Sequence, residues 1–324
     1  MAQIGQAAAV KQARRIRQKQ KKSGFNKTPY FWVYLFITPF LVLYTGFTLW
    51  PLAATAYYSL FEWNGIGPLT DFVGLDNYAT IASDPVFWES FRNTVIFATL
   101  NTAIKLPLSL FMAIWLTRRW LTFKRLWRTV FFSPMVIPVA LAGLVFTFLL
   151  NPATGAVNDA LQQAGLRERP IDFLGKNPWP MISLIFVSVW QIFGQYMVYW
   201  MAALTNVPEE LYEAAELDGA GEYAKLMYIT LPIIRPIAVI ILFLAFVNAL
   251  KVFGLVVTLT GGGPGNDTFV VSYFIYTRAF IEFPFRYGYA SASALLFGVT
   301  VLAAVTLQGY FVTRAQNRRR EFGV

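Results

Sequence analysis

The chain of 324 residues contains no cysteine and no histidine. The missing cysteines exclude disulfide and thiolate chemistry, and the missing histidines remove the commonest metal ligand and the usual general base near neutral pH. Charged residues make up only 14% of the chain, and no G-x-x-x-x-G-K-[ST] phosphate loop occurs. The glycine-rich stretch at 261–265 lacks the lysine of such a loop and predicts a turn. We therefore predict no enzyme activity, no metal site and no cofactor on this chain.

Apolar residues, in contrast, make up 56% of the chain, and the mean hydropathy of +0.50 is typical of integral membrane proteins. A helix needs about 20 apolar residues to cross a bilayer, and six runs reach this length. We therefore predict an all-α, polytopic transmembrane bundle of six spans. The runs are residues 31–53, 93–116, 129–150, 181–204, 236–257 and 289–312. Four prolines inside the runs are expected to mark kinks: Pro39, Pro107, Pro134 and Pro138.

Lysine and arginine are concentrated in three segments that contain no acid, residues 1–29, 118–128 and 314–320. Residues 60–92 instead carry five acids and one base. Because basic loops face the cytoplasm, both termini are predicted to be cytoplasmic. The chain then divides into a basic cytoplasmic arm (1–29), a transmembrane domain (30–313) and a basic cytoplasmic tail (314–324). The arm is interpreted as lying on anionic membrane lipid, with nucleic-acid binding as the less favoured alternative.

Residues 205–235, between the fourth and fifth runs, form a polar segment that this topology places in the cytoplasm. Pro208 suits a first helical turn, and residues 209–217 have a helical pattern with acids near its start. The sequence "DGAG" then predicts a break, at which Gly219 or Gly221 takes the left-handed conformation. A second short helix is predicted over residues 222–228. An interfacial loop helix and a docking element for a cytoplasmic partner both fit this pattern.

This segment resembles the EAA loop of ABC importer permeases. The family pattern is E-A-A, three residues, glycine, nine residues and I-x-L-P, which residues 213–215, 219 and 229–232 match. The stretches "FRNTVIFATLNT", "PATGAVNDALQQAGL" and "LTGGGPGNDTFVVSYFIYTRAF" look like permeases of the carbohydrate-uptake branch. The large insertion of some maltodextrin permeases is absent between the third and fourth runs, which puts a maltodextrin substrate in doubt.

The resemblance implies a permease subunit of a carbohydrate importer in the bacterial inner membrane, coupled to ATP hydrolysis on another chain. Its implied partners are a second, homologous permease in a heterodimer, two ATPase subunits that hold ATP and Mg²⁺, and an extracytoplasmic solute-binding protein. The loop would be the coupling helix that sits in a cleft of the ATPase. The residues implied in coupling are Glu213, Ala214, Ala215, Leu217, Asp218, Gly219, Leu231 and Pro232. Acids of the outer loops are candidate contacts for the binding protein: Asp71, Asp76, Asp84 and Glu89.

Polar residues inside the predicted spans are costly unless they have a function. Gln191, Gln195 and Tyr199 share one face of the fourth span, and Asn248 and Lys251 share one face of the fifth. Polar groups beside aromatic rings suit sugars, although interhelical hydrogen bonding is the alternative. We predict a substrate pathway formed by Gln191, Gln195, Tyr196, Tyr199, Asn248, Lys251, Phe253 and Lys105.

Two lysines, Lys105 and Lys251, lie in predicted spans that contain no carboxylate. They are interpreted either as side chains that snorkel to the interface or as groups that favour an anionic solute, such as a uronate oligosaccharide or a sugar phosphate. The alternative function is an ion-coupled secondary transporter. That reading would require an intramembrane carboxylate or a histidine relay, and the predicted spans contain neither.

Overall fold

The computed structural model describes residues 30–118 and 121–321, so the predicted arm (1–29) and the end of the predicted tail (322–324) lie outside the described residues. The chain divides into two compact units, Met1–Thr55 and Ala56–Val324. The described part of the first unit lies in helix α1 (Tyr30–Tyr58), whose 29 residues carry no charge. A wide π turn at Thr45–Leu49 precedes Pro51, which has no N–H to donate to the turn before it.

The second unit consists of helices joined by turns. They are α2 (Asp76–Ser83), α3 (Pro85–Thr117), α4 (Lys124–Phe132), α5 (Val139–Leu149), α6 (Ala156–Gln163), α7 (Trp179–Leu204), α8 (Glu209–Leu217), α9 (Glu222–Leu250), α10 (Val271–Tyr276) and α11 (Tyr287–Glu321). Among the described residues there is no strand, and Phe61 and Phe72 form an isolated β-bridge. The predicted all-α class is confirmed.

Two apolar clusters hold the second unit together. Helices α3 and α7 form its most extensive helix pair, and α9 packs against both. One cluster surrounds Phe97, Leu184 and Phe274. The other surrounds Met197 and Ile234 and includes the ends of α3 and α7 that lie beside α8. The second cluster therefore positions α8 against the ends of the long helices.

Within the described residues, five helices are long and apolar enough to cross a bilayer, namely α1, α3, α7, α9 and the first 20 residues of α11. The pair α4 and α5 adds a sixth if the two helices count as one span. These elements lie at the positions of the six predicted runs. The number of spans and the cytoplasmic location of the termini stay predictions.

The third predicted run, residues 129–150, is broken rather than only kinked. Helices α4 and α5 are bent by 94° with respect to each other, and a 3₁₀ turn, Ser133–Val136, lies between them. Ile137 is extended (φ −71°, ψ 126°), as expected for a residue that precedes a proline. The prediction that prolines interrupt this run is confirmed, since Pro134 and Pro138 both lie at the break.

The predicted bounds of the fifth span, residues 236–257, and of a separate helix over 222–228 are wrong. A single helix, α9, runs from Glu222 to Leu250, and a π turn at Lys225–Thr230 lies where Pro232 cannot donate a hydrogen bond. The helix ends before Lys251, and Val256–Thr260 forms a separate turn that packs against α5. Lys251 therefore follows the span helix instead of lying inside it.

Candidate functional site

Helix α8 and the turn after it contain most of the residues of the EAA pattern. Pro208 is the N-cap, and Glu209 and Glu210 lie in the first turn, where the helix dipole favours acids. Gly219 has φ +76°, and the N–H of Ala220 donates to the carbonyl of Ala215 at 2.8 Å. This is the closure typical of a helix that ends in a left-handed residue. The predicted conformation of Gly219 is confirmed, whereas Gly221 is extended (φ −71°).

The two sides of α8 differ in what they contact. Ala215 is buried, and the hydroxyl groups of Tyr212 and Thr230 are hydrogen-bonded at 2.7 Å, so this side faces the start of α9. The opposite side exposes Glu210, Glu213, Ala214 and Leu217. Leu217 is 91% exposed. Leu217 is the last residue of α8, so an apolar side chain lies at the end of an exposed face that also carries two glutamates. This makes Leu217 a candidate contact for another protein.

A network of charged groups joins α8 to two long helices. The Lys225 ammonium donates to Glu216 of α8 at 2.7 Å and to Glu222 at 3.3 Å, and the lysine itself is buried. Glu222 also forms an ion pair with Arg118 at the end of α3. Through these contacts α8, α9 and α3 are connected by side chains as well as by the backbone.

A cavity of about 690 Å³ lies between α8 and the ends of α3, α7 and α9. Four acids and two bases line it, so its net charge is negative. The charged lining residues are Glu209, Glu213, Glu216, Glu222, Arg118 and Lys225. In the part of the chain that the structure describes, no group of three or more acids is arranged to hold a metal ion.

Lys105 does not extend to the membrane surface. It is 2% exposed, its ammonium donates to Asn101 Oδ1 at 2.9 Å, and it lies 4.5 Å from the ring centre of Tyr196. Asn101 in turn donates to Ser188 Oγ at 2.9 Å. The lysine thus lies in the contact between α3 and α7, within a polar group rather than beside a carboxylate.

The structure joins five of the eight predicted pathway residues in one connected group. Gln195 donates to Tyr199 OH at 2.7 Å, the rings of Tyr199 and Tyr196 meet edge to face at 5.6 Å, and Asn248 donates to Tyr196 OH at 3.3 Å. Lys105 completes the group through Tyr196. The group therefore connects α3, α7 and α9, and Tyr199 and Asn248 are exposed at its edge.

The other three predicted pathway residues lie elsewhere. Gln191 is buried and donates to the carbonyl of Ile137 at 2.9 Å, so it satisfies a backbone group in the break between α4 and α5. This contact is the interhelical hydrogen bond that was the alternative interpretation. Lys251 is exposed beyond the end of α9, and the ring of Phe253 packs edge to face on Tyr276 at 5.2 Å.

Asn101 and Ser188 belong to this polar group but were not among the residues predicted from the sequence. A signal for Asn101 was present, because it precedes Lys105 by four residues and therefore shares its helix face. The partner across the helix pair, Ser188, carried no such signal, since contacts between helices that are distant in sequence depend on packing.

The outer-loop acids are partly engaged within the chain. Asp84 Oδ1 accepts from the N–H of Val86 at 2.8 Å and caps α3, while its Oδ2 accepts from Tyr289 OH at 2.6 Å. Glu89 forms an ion pair with Arg92 at 3.7 Å and accepts a hydrogen bond from Asn266. These contacts give Asp84 and Glu89 structural roles.

The glycine-rich segment forms the predicted turn after α9. Asn93 of α3 donates to the carbonyls of Asn266 and Phe269 at 2.7 and 3.2 Å. Thr94 Oγ1 accepts from the N–H of Val271 at 3.0 Å. The turn is therefore fixed to α3.

Residues 105–320, which include α8 and the polar group around Tyr196, match the family described as "Binding-protein-dependent transport system inner membrane component". The chain belongs to this family. It is similar to the probable ABC transporter permease protein YurN of Bacillus subtilis, with 36% identity over 86% of this chain and 94% of that protein. It is also similar to the diacetylchitobiose uptake system permease protein NgcF of Streptomyces coelicolor, with 32% identity over 91% of this chain and 84% of that protein.

The fold of this permease is shared with a solved transporter. One chain of the crystal structure of a bacterial ABC transporter involved in the import of the acidic polysaccharide alginate matches it with a TM-score of 0.77. The match covers 93% of this chain and 99% of that chain at 22% identity. This protein is thus a multi-pass inner-membrane permease of an ABC transporter. It is a transport subunit and not an enzyme, and the ATPase is a separate subunit.

Proposed function

We propose that this permease forms half of the translocation pathway of a carbohydrate importer. In the assembly it pairs with a second, homologous permease, two ATPase subunits that bind ATP and Mg²⁺, and an extracytoplasmic binding protein. The name of NgcF, which refers to uptake of diacetylchitobiose, supports a carbohydrate as the solute. The ion-coupled alternative is not favoured, since the relatives are ABC permeases.

The topology proposed is six spans with both termini in the cytoplasm. The five lysines and arginines of residues 118–128, against a single arginine in residues 60–92, support this orientation. With one crossing of the bilayer between α4 and α6, formed by α5 and the residues at the break before it, α8 lies on the cytoplasmic side. There the exposed face of α8 is available to the ATPase.

The observation that carries the proposal is the exposed face of α8, which carries residues of the EAA pattern and ends at Leu217. The opposite side of the helix is attached to Lys225 and Thr230 of α9. Because α9 is continuous over 29 residues, or about 44 Å, a displacement of α8 tilts a helix that extends across the bilayer. We infer that closure of the ATPase pair switches access to the pathway in this way.

For the pathway itself we propose the exposed edge of the polar group, with Gln195, Tyr199 and Asn248 as the groups that meet the solute. Amide and phenol groups beside aromatic rings match the hydroxyl groups and C–H faces of a sugar ring. Lys105 is buried and contacts the group through the ring of Tyr196.

Lys251 is exposed and is the cation that an acidic sugar would meet. Replacement of Lys251 by methionine is then expected to reduce uptake of acidic but not of neutral sugars.

The docking proposal is tested with the variant Leu217→Asp. The aspartate places an additional charge on the face proposed to enter the ATPase cleft, so the ATPase is expected to be lost when the permease is purified. The matched control is Leu166→Asp, which changes another exposed leucine (69% exposed) between α6 and α7 and should retain the ATPase. Retention of the ATPase and of transport by Leu217→Asp would contradict the proposal.

A further inference from the structure

Helix α4 is attached to the rest of the unit along one side. Trp127 packs on Trp115 of α3 at a ring distance of 5.9 Å, and Phe131 packs on Phe193 of α7 at 6.0 Å. Gly194 of α7 leaves no room for a side chain, because a Cβ atom there would collide with the carbonyl of Phe131. These contacts fix the rotation of α4 about its own axis.

With this rotation, α4 exposes two opposite flanks of different chemistry. Leu126 and Val130 are 59% and 48% exposed on one flank. Arg125 and Arg128 are exposed on the other. At 100° per residue the centres of the two pairs lie about 150° apart. The helix is therefore amphipathic in addition to being packed along its third side.

The charge around α4 is of one sign. The sequence contains no aspartate or glutamate between Glu89 and Asp159, whereas residues 118–128 hold five lysines and arginines. Arg118 is paired with Glu222, and Lys124 donates to the carbonyl of Thr117 at 3.3 Å. Among the described residues, neither Arg125 nor Arg128 has an acidic partner. The charges of Arg125 and Arg128 therefore favour binding of an anion that does not belong to this chain.

We propose that α4 is a binding site for anionic phospholipid on the cytoplasmic surface of the membrane. Leu126 and Val130 enter the acyl-chain region, while Arg125 and Arg128 bind headgroup phosphates, to which guanidinium groups are well suited. The bend of 94° between α4 and α5 allows α5 to enter the bilayer while α4 lies along its surface. A protein partner on the same face would have to be apolar on one flank and acidic on the other, whereas a bilayer surface offers both properties at once.

The lipid site rests on the proposed topology, because α4 must lie on the cytoplasmic side. The experiment therefore reports topology and lipid contact separately. The chain has no cysteine, so single cysteines at positions 125, 126, 128 and 130 can carry a nitroxide in the complete importer in nanodiscs. Leu166→Cys between α6 and α7 serves as the reference for water, and Phe111→Cys on the exposed side of α3 serves as the reference for lipid.

Labels at positions 126 and 130 are expected to collide more with oxygen, which is concentrated in the bilayer, and labels at 125 and 128 more with a water-soluble nickel complex. If all four positions behave like the Leu166→Cys reference, α4 is in water and the proposal is wrong. If all four are shielded from both agents, a protein covers α4 and the proposal is also wrong. A membrane-impermeant thiol reagent added to one side of vesicles at a time tests the proposed topology independently, because Leu166→Cys is then expected to react only from the extracytoplasmic side.

The charge requirement is tested with Arg125→Gln plus Arg128→Gln. Binding of spin-labelled phosphatidylglycerol relative to phosphatidylcholine is expected to fall by about threefold or more. Arg125→Lys plus Arg128→Lys keeps the charge and should retain most of the preference. The matched control is Arg167→Gln plus Arg169→Gln, which removes two exposed arginines between α6 and α7 and should leave the preference unchanged. An unchanged preference in the α4 variant would overturn the proposal, provided that the variant still purifies with its ATPase.

Discussion

The ammonium of Lys225, at the start of α9, lies 2.7 Å from Glu216 Oε1 on α8. The lysine is buried, whereas the side chain of Glu216 is 66% exposed. Because one partner is solvated, the pair contributes little to the free energy of unfolding. The pair instead has a positional role, because it attaches the proposed docking helix α8 to α9, the span that α8 would move.

Replacement of Lys225 by methionine is therefore expected to uncouple ATP hydrolysis from transport without loss of the assembled importer. The methionine retains the apolar stem but cannot hold Glu216 and Glu222, so α8 can shift without moving α9. We expect a several-fold lower ratio of solute transported to ATP hydrolysed. The measurement is paired ATPase and uptake assays in proteoliposomes.

The control for Lys225→Met is Arg92→Met. Arg92 forms an exposed ion pair with Glu89 at 3.7 Å on a different surface, so its loss removes a charge without touching α8. The coupling ratio should be unchanged. Equal ratios for Lys225→Met and the native importer would mean that the ion pairs do not transmit movement.

A second prediction concerns the two glycines of the turn after α8. Gly219 has φ +76°, whereas Gly221 has φ −71°, and neither has an atom near the place of an added Cβ. Gly219→Ala should lower the free energy of unfolding by about 1–2 kcal/mol because of its left-handed conformation alone. Gly221→Ala, in contrast, should be neutral or slightly stabilising. The midpoint of thermal unfolding of the two purified variants gives the comparison, and equal midpoints would contradict the described turn.

The contact of α4 with α7 gives a third prediction. A methyl group at Gly194 would meet the backbone of Phe131 and Phe132, and backbone atoms cannot move aside as a flexible side chain can. Gly194→Ala should therefore destabilise the permease by about 1–3 kcal/mol. Gly298→Ala in α11 has open space around the new methyl group and serves as the control. The measurement is again thermal unfolding, and a Gly194→Ala variant as stable as Gly298→Ala would rule out the close packing of α4 on α7.

The sequence predicted the features that depend on local chemistry. The left-handed turn at Gly219 follows from the conformational freedom of glycine, and the break at Pro134 and Pro138 follows from the backbone restrictions of proline. The start of α3 was missed although its signal was local. Asp84 followed by Pro85 is an N-cap before a proline at the first helical position.

Features that depend on packing between distant segments were not predictable in the same way. Residues 251–257 are mostly apolar, so a hydropathy count extends the fifth span through them. The structure ends α9 at Leu250, because Thr258 packs against Gly143 and its carbonyl accepts a hydrogen bond from Thr147 of α5 at 3.3 Å. Packing between distant segments also separates the two glutamines of α7. Gln191 donates to the carbonyl of Ile137, which lies in the break before α5, whereas Gln195 donates to Tyr199 in the polar group.

The last prediction concerns Lys105 and Asn101. A buried donor left without its acceptor costs about 1–3 kcal/mol, and more when the donor is charged, whereas replacing both partners by apolar groups of the same shape can be nearly neutral. Asn101→Leu leaves the Lys105 ammonium with the Tyr196 ring and no other partner among the described residues. Lys105→Met removes the charge and keeps the stem, and Asn101 retains its bond to Ser188. We therefore expect Asn101→Leu to lower the unfolding midpoint strongly, and Lys105→Met to lower it little.

The double variant Asn101→Leu plus Lys105→Met completes the comparison. It contains no buried cation at this place, so the free-energy cost of a cation without its amide partner is absent. Its unfolding midpoint should lie well above that of Asn101→Leu alone, although a second substitution normally adds to the damage of the first. A double variant that is less stable than Asn101→Leu would show that the lysine stabilises the bundle by packing and that Asn101 does not compensate its charge. Uptake by the double variant then tests which part of the polar group contacts the solute, because Tyr196 contacts Lys105 through its ring and Asn248 through its hydroxyl. With Lys105 gone, the Asn248 bond to the Tyr196 hydroxyl remains, so transport that persists would assign the solute contact to the exposed edge of the group and not to the buried cation.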